Sequence, residues 1–327
     1  MINHNTYLGK KGYSIYKNTL SIKEQEYIRN ELTVKPYLPS TPIQPESYPI
    51  YKESLNKFYL PRFFGINNYG EPNEIKISEG KKINLNFNGE LRPKQDEIIN
   101  KYTNYINNKQ KSGLLDLYTG MGKTVMALKI ISIIKLKTLI IVHKGFLLDQ
   151  WIERINQFLP GAKVGKIQGP ILDIDDKDIV IGMLQSLSMK EYPEDLFKDF
   201  GFTIIDEVHH ISAEVFCRAL QNIVTMYNLG LSATMNRKDG LSKVFKMFLG
   251  EVIHKENNKN DTNILIKSIL FKTEDSEFNE IEYDYKGMVK YTTMINKLCN
   301  FNSRSELIVN IIIKELKINN NQQIMVL

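Results

Sequence analysis

The chain is expected to fold as an α/β protein around a central parallel sheet with helices on both faces, preceded by a small α+β arm. Three observations carry this. First, Leu114-Leu115-Asp116-Leu117 is an apolar strand that runs through Tyr118-Thr119-Gly120-Met121-Gly122-Lys123-Thr124 into the helix Val125-Met126-Ala127-Leu128-Lys129-Ile130. Second, short apolar strands follow at helix-length intervals, the pattern of parallel strands buried on both faces. Third, the adjacent acids Asp206-Glu207 close one of those strands, and in such sheets the active residues gather at the carboxyl ends.

Composition sets the limits. A chain of 327 residues that is 42% hydrophobic and 24% charged can bury the cores of about two domains, which excludes wholesale disorder. No uncharged apolar run reaches the roughly 18 residues of a membrane span, and Met1-Ile2-Asn3-His4-Asn5 lacks the apolar core of a signal peptide, so a cytoplasmic location is expected. Cys217 and Cys299 read as reduced core thiols rather than a disulfide or a metal cluster. The net charge of +6 permits a polyanionic partner and equally fits a solvated surface.

From the start, residues 1–35 read as one or two short strands and a helix with Ser21 as N-cap, Glu24 as its capping-box partner, and an end near Val34. Pro36, Pro39, Pro42, Pro45 and Pro49 then block helix and interior strand alike and imply an extended connector. Tyr59-Leu60-Pro61-Arg62-Phe63-Phe64-Gly65 has two readings: Arg62 on a phosphate with rings stacked on bases, or an aromatic anchor that holds the arm to the main domain.

The main domain opens at Leu91-Arg92-Pro93-Lys94-Gln95, where proline suits the first turn of a helix. The Gln95 amide offers both a donor and an acceptor to an adenine edge. In the turn that follows the first strand, glycine lets backbone N–H groups approach phosphate oxygens, and the helix N-terminus adds its dipole. Lys123 then reaches the β- and γ-phosphates, and Thr124 ligates Mg²⁺. The broad pattern of such loops has a glycine where Leu117 stands, so Thr119-Gly120 supplies the flexible point instead. Further strands are expected at Thr138 to His143, Lys163 to Gln168, Asp178 to Met183, Phe202 to Glu207 and Tyr227 to Ser232, with a helix through Trp151 to Phe158. At the end of the 202–207 strand, Asp206 fits the Mg²⁺ side and Glu207 the positioning and deprotonation of a water, with His209 beside the γ-phosphate. Taken alone, the same residues also read as an exposed acidic loop.

Together, Thr119-Gly120-Met121-Gly122-Lys123-Thr124, Asp206-Glu207-Val208-His209 and Ser232-Ala233-Thr234 resemble motifs I, II and III of the superfamily 2 helicases, in the right order and spacing. Leu147-Leu148-Asp149-Gln150-Trp151 after Ile140 to Lys144, and Leu231 to Gly240 with Phe248-Leu249-Gly250, are similar to the XPB-like branch. The arm with Leu60 to Gly65 most resembles helicases of large cytoplasmic DNA viruses, the poxvirus transcript-release type among them.

The resemblance implies a RecA-like, phosphate-loop domain that takes ATP and Mg²⁺. Arg92 and Gln95 would lie on the adenine side; Ser232, Ala233 and Thr234 would couple the nucleotide to nucleic acid. His143, Lys144, Gln185 and Ser186 would hold one strand, with Arg237 and Lys238 adding charge or forming a solvated face. It also implies a monomer that acts on DNA, with RNA as the alternative, with transcription machinery as a partner, and in the cytoplasm or a viral factory. The expected divisions are an arm at 1–88, the first RecA-like domain at 89–256, a linker at 257–300 and the start of a second such domain at 301–327. There, Asn302 to Ile318 reads as a helix and Gln322 to Leu327 as a strand with nothing to cover it, so a fragment is expected. No arginine in 91–250 is an obvious partner for the γ-phosphate, so slow hydrolysis is expected of the chain alone. A binding module without turnover, or a restriction- or remodeller-type translocase that does not unwind, are the alternatives.

Overall fold

The computed structural model describes residues 4–37, 45–207, 213–233, 241–256, 267–285, 287–318 and 323–325. The chain divides into two compact units, Met1–Lys259 and Asn260–Leu327.

At the start, β1 (Thr6–Gly9) and β2 (Gly12–Tyr16) pair antiparallel across Lys10-Lys11. Gly12 sits at φ 96°, where an added Cβ would meet the Leu60 carbonyl oxygen at 2.5 Å. Helix α1 (Ile22–Glu31) has the expected capping box: the Glu24 N–H donates to Ser21 Oγ at 3.3 Å, and the Ser21 N–H to Glu24 Oε2 at 2.7 Å. The helix stops short of Val34 because Thr33–Val34 is extended instead, as β3, against β4 (Tyr48–Pro49). Pro39 and Pro42 of the connector lie outside the described residues.

After β5 (Lys52–Glu53) and β6 (Lys57–Leu60) come α2 (Arg62–Tyr69) and β7 (Glu74–Ile75). Their sheet has the order β5-β6-β2-β1-β7. Phe63 and Phe64 are buried, and α2 lies so close to β2 that a Cβ on Gly65 would fall 2.2 Å from the Tyr13 ring. Arg62 donates through Nη1 to the Met226 carbonyl at 2.9 Å. The stretch is therefore the aromatic anchor, the second of the two readings. Phe58, Leu60 and Phe64 share one apolar cluster with Phe245 and Phe248, so the arm and the main domain are held by a common core.

The main sheet is built by α3 (Pro93–Asn108), β8 (Ser112–Leu117), α4 (Lys123–Ile134), β9 (Thr138–Val142), α5 (Gly145–Phe158), β10 (Val164–Gln168) and β11 (Ile171–Leu172). It continues with β12 (Ile179–Met183), α6 (Leu184–Met189), β13 (Phe202–Ile205), α7 (Ala213–Leu220), β14 (Tyr227–Ser232), α8 (Ser242–Leu249) and β15 (Val252–Glu256). Among the described residues the order is β11-β10-β12-β9-β13-β14-β8-β15, parallel throughout except for the β10–β11 hairpin. The expected α/β fold with a parallel sheet is borne out.

Alternation divides the strand residues between two cores. Leu114, Leu139, Ile141, Val180 and Ile205 face one, while Leu115, Leu117, Ile140, Val142, Ile181 and Leu231 face the other. Each such side chain contributes roughly 1.5–3 kcal/mol on burial, and the double layer explains why the strands are apolar without interruption.

In the second unit, α9 (Ser276–Asn279), α10 (Tyr291–Asn300) and α11 (Asn302–Ile318) accompany a cluster of Phe271, Phe278 and Phe301, the last two 4.3 Å apart between ring centres. The strand expected at 322–327 is not there in residues 323–325, and the other positions lie outside the described residues. Cys217 is buried as expected, whereas Cys299 is exposed on α10 rather than in a core. Among the described residues no helix is long and apolar enough to cross a membrane.

Candidate active site

Because β8, β9, β12, β13 and β14 run parallel, their carboxyl ends lie along one edge of the sheet. The chain leaves β8 through Tyr118 to Gly122, and α4 begins at Lys123. Gly120 and Gly122 both have positive φ, at 89° and 88°, so the turn needs glycine at each. At Gly120 no atom of the described residues lies within 4 Å of an added Cβ. At Gly122 the Cβ would fall 2.4 Å from Gln95 Nε2 and 3.3 Å from an Arg92 guanidinium nitrogen.

That crowding comes from a clamp. Gln95, buried at the start of α3, donates from Nε2 to the Met121 carbonyl at 2.9 Å, and its Oε1 accepts from the Arg92 N–H at 2.9 Å. Arg92 Nη2 reaches the same Met121 carbonyl at 2.6 Å and the Gly120 carbonyl at 3.2 Å. Peptide N–H and C=O groups point in opposite directions, so holding these carbonyls toward α3 turns the Gly122 N–H away from it. Both ends of the Gln95 amide are thus engaged on protein. The fold therefore places Arg92 and Gln95, expected on the adenine side, directly against the backbone of the loop.

Lys123 stands at the first position of α4, where the helix leaves N–H groups without intrahelical partners. Its Nζ lies 3.4 Å from the Leu117 carbonyl and 3.1 Å from Glu207 Oε1. Strand β13 is separated from β8 only by β14, so the Glu207 side chain spans one strand to reach the lysine. Glu207 sits at φ 50°, a conformation that costs an L residue about 1–2 kcal/mol. Such cost is concentrated at functional sites.

Asp206 is buried, and its Oδ2 accepts from Trp151 Nε1 at 2.8 Å. Burial pushes its carboxyl up to about 6; the Trp151 hydrogen bond opposes that rise, the Glu207 charge adds to it, and Lys123 opposes it. A carboxylate held in a dry strand end favours a cation as its counter-charge. Thr124, on the first turn of α4, and Asp206 are the residues that would hold Mg²⁺, whose chemistry is to neutralise charge on the phosphates. Trp151, the only tryptophan, had no assigned role in the sequence reading; its place on the apolar face of α5 was the available signal.

Along the same edge, His143 and Lys144 follow β9, and Gln185 Nε2 donates to the His143 carbonyl at 3.1 Å. Ser186 accepts from the Gly169 N–H at 2.9 Å. These four residues are brought together. Phe146, 64% exposed with Lys144 Nζ 5.9 Å from its ring centre, joins them and was not singled out from the sequence. Ser232 is buried at the end of β14 opposite Asp116, and Ala233 follows it. His209, Thr234, Arg237 and Lys238 lie outside the described residues.

The loop, the helix and the acidic pair on a parallel sheet define a phosphate-loop nucleotide-binding domain. Residues 88–237 match the family described as "Type III restriction enzyme, res subunit". The "Putative ATP-dependent RNA helicase" of Acanthamoeba polyphaga mimivirus is 34% identical over 94% of this chain and 58% of its own length. A "Putative helicase" of Invertebrate iridescent virus 3 is 32% identical over 64% of the chain and 67% of its own length. The "DNA 3'-5' translocase XPB2" of Sulfurisphaera tokodaii is 32% identical over 60% and 43% respectively. The chain belongs to the superfamily 2 helicases, in the XPB-like branch with the helicases of large DNA viruses. It spans between half and three-fifths of the length of the first two relatives it matches, 58% and 51%. Among solved structures, the UvsW helicase of bacteriophage T4 is 16% identical over 77% of this chain and 96% of its own, with a TM-score of 0.49.

Proposed function

We propose that this chain is the ATP-binding motor part of an ATP-dependent DNA helicase or translocase. The observation that carries it is Lys123 at the head of α4 with Glu207 at 3.1 Å, which puts a phosphate-binding cation and a general base on one loop edge. Entry of a γ-phosphate would draw Lys123 onto its oxygens and release Glu207 to take the proton of the attacking water. Asp206, oriented by Trp151, and Thr124 would hold Mg²⁺. His143, Lys144, Gln185 and Ser186 would hold the backbone of one strand, and Ser232 to Thr234 would carry the nucleotide state to it. The relatives are named both as a DNA translocase and as RNA helicases; the XPB-like motifs favour DNA. Resemblance to viral helicases supports a place in transcription or DNA processing.

Turnover by the 327-residue chain is expected to be slow, because the described arginines of the main domain are engaged elsewhere. Arg92 is on the loop carbonyls, Arg154 on Gln157 and Arg218 on Glu214. The test is therefore a single-turnover assay, with protein in excess over radiolabelled Mg·ATP. Glu207→Gln should bind equally well and release phosphate at least about 100-fold more slowly, the lower bound for general-base catalysis. Release within tenfold of the wild type would overturn the role of Glu207. Tighter binding of RNA than of DNA at equal salt would overturn the choice of substrate.

A further inference from the structure

The outer face of the N-terminal sheet is a surface of tyrosine and lysine that the nucleotide site does not use. Register sets Tyr7 beside Ser14, Ser14 beside Tyr59 and Tyr59 beside Lys52, while Tyr16 lies beside Lys57 on the same face. Alternation sends Leu8, Tyr13, Ile15, Phe58 and Leu60 to the opposite face, into the core. The outward positions of a half-buried antiparallel sheet ordinarily carry polar side chains. Here three of them carry half-buried rings.

Cations surround those rings. Lys57 Nζ lies 5.1 Å from the centre of the Tyr7 ring and 4.5 Å from that of Tyr16, and donates to the Tyr7 hydroxyl at 3.3 Å. Lys76 Nζ is 4.7 Å from the Tyr7 ring centre and Lys11 Nζ is 5.6 Å from that of Tyr59. A groove of about 280 Å³ runs between Tyr7, Ser14, Tyr59, Lys11, Lys76 and Glu194. Glu194, in the groove, pairs with Lys11 at 3.2 Å, and Glu74, outside its lining, pairs with Lys76 at 2.9 Å. Such exposed pairs are weak and exchange readily for a phosphate. Lys57 and Lys52 add positive charge that those two carboxylates do not match.

Rings that accept any base, beside flexible cations that track a backbone, are the chemistry of single-strand binding. We propose that this face is a second nucleic-acid site, which takes a single strand by stacking bases on Tyr7, Tyr16 and Tyr59 and placing its phosphates on Lys11, Lys57 and Lys76. The site is separate from the phosphate loop and does not depend on ATP hydrolysis. It would hold a strand next to the motor while the motor cycles.

The test is fluorescence anisotropy of labelled (dT)20, (U)20 and a duplex of equal charge, titrated with the nucleotide-free chain at several salt concentrations. Tyr59→Ala should weaken single-strand binding roughly five- to 150-fold, the range for loss of one stacked base, and Tyr59→Phe should restore it. Lys57→Gln with Lys76→Gln should flatten the slope of log affinity against log salt by about 1.4, at about 0.7 per phosphate contact. As a reading that needs no variant, (4-thio-dT)20 cross-linked to the wild type should label peptides that contain Tyr7, Tyr16 or Tyr59. Cross-links confined to residues 139–237, unchanged affinity in Tyr59→Ala, or a preference for the duplex would each overturn the proposal. Mg·ATP affinity, measured in the same samples, reports the other site, so a failure there is distinguishable from a failure here.

Discussion

Gly122→Ala should be costly for two separable reasons, and Gln95 tells them apart. An alanine at φ 88° loses about 1–2 kcal/mol relative to a residue in an allowed helical or extended well. Its Cβ also falls 2.4 Å from Gln95 Nε2, so the buried amide must turn and give up its 2.9 Å bond to the Met121 carbonyl. A neutral hydrogen bond contributes about 0.5–1.5 kcal/mol net, so the total is roughly 1.5–3.5 kcal/mol. In a Gln95→Ala background the clash is gone and only the backbone cost remains. The cycle of four proteins should therefore show a coupling of about 0.5–1.5 kcal/mol between positions that are 27 apart in the chain. Urea unfolding followed by the fluorescence of Trp151, the only tryptophan and buried at the site, measures it. If Gly122→Ala costs the same in both backgrounds, the helix α3 does not clamp the loop.

Two further outcomes follow from the geometry. Trp151→Phe keeps an aromatic in the core but removes the 2.8 Å donor to Asp206, so calorimetric titration should show Mg²⁺-dependent ATP affinity falling about 10- to 100-fold; an unchanged affinity would remove Asp206 from the metal site. Arg62→Ala should lower stability by roughly 1.5–3 kcal/mol through loss of the charged bond to the Met226 carbonyl, while the salt slope of oligonucleotide binding stays the same; a slope reduced by about 0.7–0.9 would restore the phosphate-contact reading.

The sheet was legible because burial on both faces writes itself into the strands: Ile140-Ile141-Val142 and Phe202-Thr203-Ile204-Ile205 admit no charge. The loop and Asp206-Glu207 were legible for the opposite reason, since glycines and adjacent carboxylates at strand ends need a ligand to justify them. What sequence could not supply was the identity of the partner across space. Gln95 offers the same amide to an adenine or to a carbonyl, and only the fold shows that the Met121 carbonyl stands 2.9 Å from it. Trp151, read only as part of a helix and of a motif, lies in the core and spends its one polar atom on Asp206. Arg62 among aromatics could be read as a nucleic-acid contact or, in preference, as part of an anchor; the Met226 carbonyl, 164 residues away, shows the anchor. Thr33–Val34 belonged to the helix pattern by composition alone and went to a strand because Tyr48–Pro49 was there to pair with it.

The central claim, that the turn after β8 holds the phosphates of ATP, is tested most directly at Lys123. Titration of the chain with a fluorescent Mg·ATP analogue should saturate for the wild type and show no saturable binding for Lys123→Ala, with the two proteins unfolding alike. The substitution removes the ammonium at the head of α4, which faces the loop 3.1 Å from Glu207, and with it the positive charge that would meet the phosphates. An affinity in Lys123→Ala within a factor of about three of the wild type would mean that the nucleotide, if bound at all, binds somewhere else.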